Sequence, residues 1–348
     1  MKTVFHPIDI SLNFMPSFYH KHLGVTYGEA FYFDPGYRAG VECAESRFLH
    51  EVLGRFGVGS PNPSPSPDLF IQPIDLLKAT QGTTVFCPPD ATLETRGHAW
   101  ENLSVEEIAR LDPRDAANHP FVDALLAQYH ELQRLYGDRA DLFGIKTGLM
   151  GIHAPYTTAH QLCGESLFYL MSDDPDGART VFDKIWAMYQ AIFARLAAEI
   201  GAPPMSRVGM GDCSASMISA GQYREVVLPV NQAISLQFAQ ANYHSCGSSS
   251  HLLEAFADIP HVSSIELGPG TDLERAVGNM PGVAMRPLVD PLVVRNENPE
   301  AVDALTRAIV SACAPAPATT LCAWSFDRET PVENVAAMYS AVGTLQKS

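Results

Sequence analysis

Positive charge is scarce in this sequence: Lys and Arg total 23 against 39 Asp and Glu, a formal charge of −16. No Lys/Arg-rich run interrupts that balance, and a surface that tracks phosphates needs clustered cations, so nucleic acid is not an expected partner. An anionic membrane surface is disfavoured on the same ground. Long hydrophobic runs are missing too. Nothing approaches the ~20 uninterrupted apolar residues of a spanning helix, and His6, Pro7 and Asp9 break the opening before an apolar signal segment can form. There is no internal repeat of fixed period, and no Gly-rich dinucleotide fingerprint opens a helix. Seven cysteines, an odd number in a chain of 348 residues, do not suit a disulfide framework. A reducing cytoplasm is the expected compartment, and there thiols stay free to bind metal.

What is present is the material of a folded globular protein. Hydrophobic residues make up 46% and charged residues 18% of the chain, enough for a substantial buried core. Five prolines fall in residues 57–73, which excludes a helix or central strand and predicts an extended surface loop. From about residue 140 the pattern alternates. Residues 141–152 read as a buried strand, and 176–200 as a long amphipathic helix closed by Gly201. Apolar runs follow at 206–211, 234–243, 262–267, 282–289 and 319–325, separated by helical patterns. Helix starts are marked by Asn298-Pro299 and by the capping boxes Ser104/Glu107 and Thr330-Pro331-Val332-Glu333. Strands alternating with helices imply βα units and a parallel sheet. Without a dinucleotide fingerprint, and with room for the ~250 residues a barrel needs, the expected fold is α/β, a (β/α)8 TIM barrel with an N-terminal elaboration. The whole of 1–348 reads as one domain.

The most informative string is Tyr243-His244-Ser245-Cys246-Gly247, which closes an apolar run. Side chains two apart on a strand share a face, so the imidazole of His244 and the sulfur of Cys246 meet at a C-terminal strand end, where barrel active sites gather. Nitrogen and sulfur donors of this kind suit Zn²⁺. A third ligand must also lie at a strand end. Cys322 meets that condition and ranks first; Cys213, after the run at 206–211, is the rival. Three protein ligands leave one position open, as in a catalytic zinc site. Cys43, Cys87, Cys163 and Cys313 read as core residues. Other polar groups at strand ends are Asp212, Glu266 and Asp290; Glu266 and Asp212 are the candidate catalytic carboxylates. Tyr243, Trp324 and Phe326 are candidate walls for a flat ligand, and His153 ends a strand while His160 falls on a helix.

Several of these strings together, at 158–164, 174–175, 212–219, 222–224, 243–247, 290–291 and 330–334, resemble the uroporphyrinogen decarboxylase superfamily, in particular its cobalamin-dependent methyltransferase branch. The resemblance covers about 140–345, while 1–130 diverges. It implies that His244, Cys246 and Cys322 bind zinc, and that a methyl group passes between a small-molecule donor or acceptor (a methyl ether, thiol or similar) and the cobalt of a corrinoid. The chain lacks the D-x-H-x-x-G string with which cobalamin carriers hold cobalt, so the corrinoid is expected on a separate small protein. Tyr243 and Trp324 are the residues expected to face it. The alternative reading is a metal-free decarboxylase of a tetrapyrrole-like acid working through Asp212. The methyl donor or acceptor, the direction of transfer and the oligomeric state, for which a homodimer is one option, are not set by these residues.

Overall fold

The computed structural model describes residues 8–345. Its strands are β1 (Ile8–Phe14), β2 (Asp68–Leu69), β3 (Thr84–Phe86), β4 (Glu94–Arg96), β5 (Asp141–Leu142), β6 (Leu149–His153), β7 (Arg207–Gly211), β8 (Gln240–Ser245), β9 (Val262–Leu267), β10 (Ala284–Pro287) and β11 (Thr319–Phe326). Seven of them form one sheet in the order β1-β11-β10-β9-β8-β7-β6, and every pairing in it is parallel. From β6 to β11 each strand lies beside its predecessor in the chain, the arrangement that successive βα units produce.

The sheet is strongly curled. Strands β9 and β11 are separated by β10, so in a flat sheet they would stand about 10 Å apart. Yet Cys322 Sγ on β11 reaches Glu266 Oε2 on β9 at 3.2 Å. Trp324 on β11 likewise lies 6.4 Å from the ring of His244 on β8, three strands away.

The expected eight-stranded closure is only partly seen. Among the described residues β1 and β6 are edges of the sheet and do not pair with each other. Between them stands the proline-rich segment. Prolines lack the N–H a ladder requires, and only Asp68–Leu69 forms a strand there, paired with β5 in a separate two-stranded sheet. Phe70–Gln72 nonetheless share a cavity wall with the end of β1, and the helix Pro73–Thr80 packs on β6. The strand expected over 141–152 is split in the same way, into β5 and β6 with a helical turn at Ile145–Thr147 between them.

Strand burial alternates as the pleat demands. In β8, Ala241, Tyr243 and Ser245 are buried against the helices, while Asn242 and His244 face inward and are half-buried. The apolar core therefore lies outside the sheet. Its largest contributor is the helix Pro175–Ile200, capped by Asp174 on Gly177 N and ended by Gly201 at φ 65°, as the pattern at 176–200 predicts. The inward face is polar instead of filled with branched aliphatics. Register places Gly211, His244, Glu266 and Arg286 in one lateral row with His153. This row positions the site. No helix among the described residues is long and apolar enough to cross a membrane.

Candidate metal centre

The donor atoms of Cys213, His244 and Cys246 all lie within 4.8 Å of one another. His244 comes from the inward face of β8 and Cys246 from the residue just past its end. Cys213 opens the turn after the neighbouring strand β7. Glycine is needed here for close approach: a Cβ on Gly268 would collide with the carbonyl of Cys246, and one on Gly247 with the Ser216 hydroxyl. Gly247 thus serves the packing of two loops.

The three groups share protons. The Cys213 thiol donates toward Cys246, and His244 does so from the other side, which together hold the Cys246 thiol down to about 5 against its partial burial. The same hydrogen bond to Cys246, followed by burial, pushes the Cys213 thiol well up. Burial opposes charge on His244, but hydrogen bonds to Cys246 and Glu266 outweigh it and lift the imidazole to about 9. Cys246 is exposed and Cys213 half-buried, so the cluster is open on the thiolate side. Two sulfurs and an imidazole form a donor set suited to Zn²⁺.

Glu266 is the hub beside this cluster. It is 4% exposed; its Oε1 is paired with His244 Nδ1, and its Oε2 accepts from Cys322 Sγ and lies 3.5 Å from Arg286 Nε. A carboxylate on one ring nitrogen fixes the tautomer and leaves the other nitrogen for a ligand. Sequence reasoning picked out Glu266 but not Arg286. The signal available was register, since Arg286 occupies the inward position opposite Glu266 on the next strand.

Cys322, the first choice for third ligand, stands outside the cluster. It is level with Leu288 in the ladder, three strands round from Cys246, fully enclosed, and its thiol is pushed up by burial and by the adjacent Glu266. Cys213 follows the strand next to β8 and so reaches His244 directly.

Two further expectations meet a different environment. Asp212 is wholly buried, and its oxygens accept from Thr157 Oγ1 (2.8 Å), Tyr243 Oη (2.8 Å) and Asn231 Nδ2 (3.1 Å). Burial raises its carboxyl above the ordinary range, against those three donors. It braces the turn that carries Cys213, since Thr157 Oγ1 also accepts from Ser214 N. A substrate-facing role does not fit this enclosure. Tyr243 is 2% exposed and packed against Phe256, its hydroxyl held by Asp212 and Tyr223; it belongs to the core, not to the mouth. Trp324 does face inward, with Nε1 on Ser11 Oγ at 3.2 Å.

His153 closes β6 beside the cluster. Its Nδ1 has no hydrogen-bond partner, and burial, with His244 nearby, pushes its pKa down to about 4, so it is neutral. His160 lies on the helix Pro155–Cys163 and bonds Ser214 Oγ. Two cavities flank the cluster. One, of about 360 Å³, lies inside the sheet and is lined by Asn242, His244, Glu266 and Arg286. The other, of about 300 Å³, is lined by Cys213, His153, Lys78 and Asp75.

Fold and site together define a parallel α/β protein with a sulfur–imidazole centre at the strand ends. The chain belongs to the uroporphyrinogen decarboxylase (URO-D) family, whose sequence model matches residues 92–345. Among solved structures it is similar to a methyltransferase from Methanosarcina mazei, at 15% identity and a TM-score of 0.64, over 98% of this chain and 94% of that one. At that identity the likeness is one of fold. None of the curated proteins matches the chain.

Proposed function

We propose that this chain is a zinc-dependent methyltransferase of the URO-D family, moving a methyl group between a small molecule and the cobalt of a corrinoid held by a separate protein. The observation that carries the reading is the convergence of Cys213, His244 and Cys246 at one end of the parallel sheet. Support for the transfer chemistry comes from the fold shared with the Methanosarcina methyltransferase and from the family.

The residues divide the work. Cys213, His244 and Cys246 would hold the ion, and two thiolates neutralise its charge so that a neutral ligand can approach. Bound there, Zn²⁺ would act as a Lewis acid on a thiol or a methylated heteroatom. Glu266 keeps the Nδ1 proton of His244 and so fixes the ring. Arg286 beside it compensates the buried carboxylate. Neutral His153, with an unengaged Nδ1, is placed to accept a hydrogen bond from a group entering the cavity next to Cys213. Trp324, half-buried and facing inward beside His244, would offer its indole to the partner's corrinoid.

Metal analysis tests the reading. Purified protein should carry about one zinc per chain, as a single three-ligand site requires, and Cys246→Ala and Cys213→Ala should each abolish it. Cys322→Ala should retain it; loss of zinc in that variant alone, with Cys213→Ala unaffected, would move the third ligand to β11. A protein that transfers methyl groups from methylcobalamin with no metal bound would overturn the mechanism.

A further inference from the structure

A third cavity, of about 290 Å³, opens at the C-terminal end of β1 and plays no part in the metal centre. Its size is near the lower end for small-ligand sites. Its walls are dominated by rings: Tyr19, Tyr27, Phe31, Tyr32 and Phe70, with the carboxylate of Glu45 among them. The rings stand at angles to one another, Tyr27 to Phe31 at 4.8 Å and 56°, Phe31 to Tyr32 at 5.2 Å and 84°. Several ring faces and edges therefore border one small volume.

Glu45 is the only charged residue lining this space. Its hydrogen bond is with the Tyr27 hydroxyl, and neither an ion pair nor a cationic neighbour accompanies it among the described residues. A half-buried carboxylate with no cationic partner is costly when ionised unless a cation joins it. Aromatic faces attract cations as well, most strongly where water is excluded. Both features favour a soft organic cation whose methyl groups fill the space between rings. A metal ion would need more oxygen donors than one carboxylate.

We propose that this cavity is a binding site for a methylated ammonium compound, separate from the metal centre. Its place in the fold is set by β1. Leu12 and Asn13 line the cavity from β1; one turn of the pleat below, Ser11 holds the indole of Trp324, whose ring lies 6.4 Å from that of His244. The cavity and the metal centre thus share one end of the sheet, with Trp324 between them.

The test is a calorimetric titration of the full chain with choline and with its uncharged isostere 3,3-dimethylbutan-1-ol. Choline should bind saturably, and the alcohol at least about tenfold more weakly. Glu45→Gln, which keeps the shape of the side chain, should weaken choline by about tenfold or more and leave the alcohol unchanged. Tyr27→Phe, which keeps the ring and frees Glu45, should retain choline binding. Equal affinity for the two compounds, choline binding untouched by Glu45→Gln, or no saturable choline binding would each overturn the proposal. Titration of zinc-loaded and metal-stripped protein separates the two readings. Binding needs neither zinc nor turnover, so a failure here leaves the metal reading standing, and an absent zinc leaves the cation site intact.

Discussion

A carboxylate walled in by rings costs stability when it ionises, and Glu45 makes that cost measurable without any ligand. Burial pushes its carboxyl from 4.5 to about 7, a rise the Tyr27 hydroxyl only partly opposes. Between those two values the folded chain keeps the proton while the unfolded chain has lost it. Stability therefore falls as pH rises from about 4.5 to 7 and is flat above that range. A gap of this size corresponds to at most ~3 kcal/mol. Glu45→Gln removes the titration. In urea unfolding, the variant should gain on the native protein between pH 5 and pH 8, other titrating groups cancelling in the difference. The same difference at both values would show that Glu45 ionises normally in water. The same scale shows which of the site residues were legible in the sequence. His244 and Cys246 were, because the two-residue period of a strand is a local property. Cys213, the third member of the cluster, ranked only second, because spacing along the chain does not say which strand ends are neighbours. Strand order would have favoured Cys213: consecutive βα units sit side by side, so the unit before β8 is nearer than one three strands later.

At the scale of elements, β11 shows how one residue redirects a strand. Regular alternation would put Thr320, Cys322, Trp324 and Phe326 on one face. Instead β1 pairs Leu12 with Ala323 and Phe14 with Phe326, so Asn13 stands against both Trp324 and Ser325. Ser325 is the extra residue, exposed and at φ 64°. This bulge keeps Trp324 inside while turning Phe326 outward into the core, where it meets Phe14 at 5.8 Å. A left-handed conformation costs an L-residue roughly 1–2 kcal/mol, and glycine escapes it. Ser325→Gly should leave stability unchanged or raise it by up to about 1 kcal/mol, whereas Ser325→Val should lower it by about 1–2 kcal/mol. Equilibrium unfolding and the tryptophan fluorescence of Trp324 check both. Equal effects from the two substitutions would mean that the bulge carries no strain. Nothing in the run 319–325 announced this device, since a serine replaces the glycine that usually marks one. The runs at 206–211, 262–267 and 319–325 themselves matched their strands closely, because apolar residues at alternate positions (Val208 and Met210, Ile265 and Leu267, Leu321 and Ala323) suit strands with one face covered by helices. The proline-rich stretch also read true as a loop, apart from Asp68–Leu69, whose pairing depends on a partner more than 70 residues away.

At the scale of the whole molecule, the polar inner face and the apolar outer layer separate function from stability. His244, Glu266, Arg286 and Cys322 interact across the inside of the sheet. The two apolar clusters that bind helices to strands are built from the outward residues, such as Ile152, Tyr243, Ile265 and Leu321. A metal at Cys213, His244 and Cys246 would tie together the ends of two adjacent strands that the seven-stranded sheet and those clusters already hold. Removing it should therefore not unfold the chain. Metal-stripped protein should keep its far-ultraviolet circular dichroism and a cooperative thermal transition. Its midpoint should drop only by the binding linkage, about 2–4 °C for each ~1 kcal/mol in domains of 150–250 residues. The iodoacetamide reactivity of Cys246 should rise at the same time, because that thiol is exposed and held as a thiolate near neutral pH once the ion has gone. A chelator that abolished the helical signal would place the metal among the elements that hold the fold together, and the division between an inner chemical face and an outer cohesive one would fail.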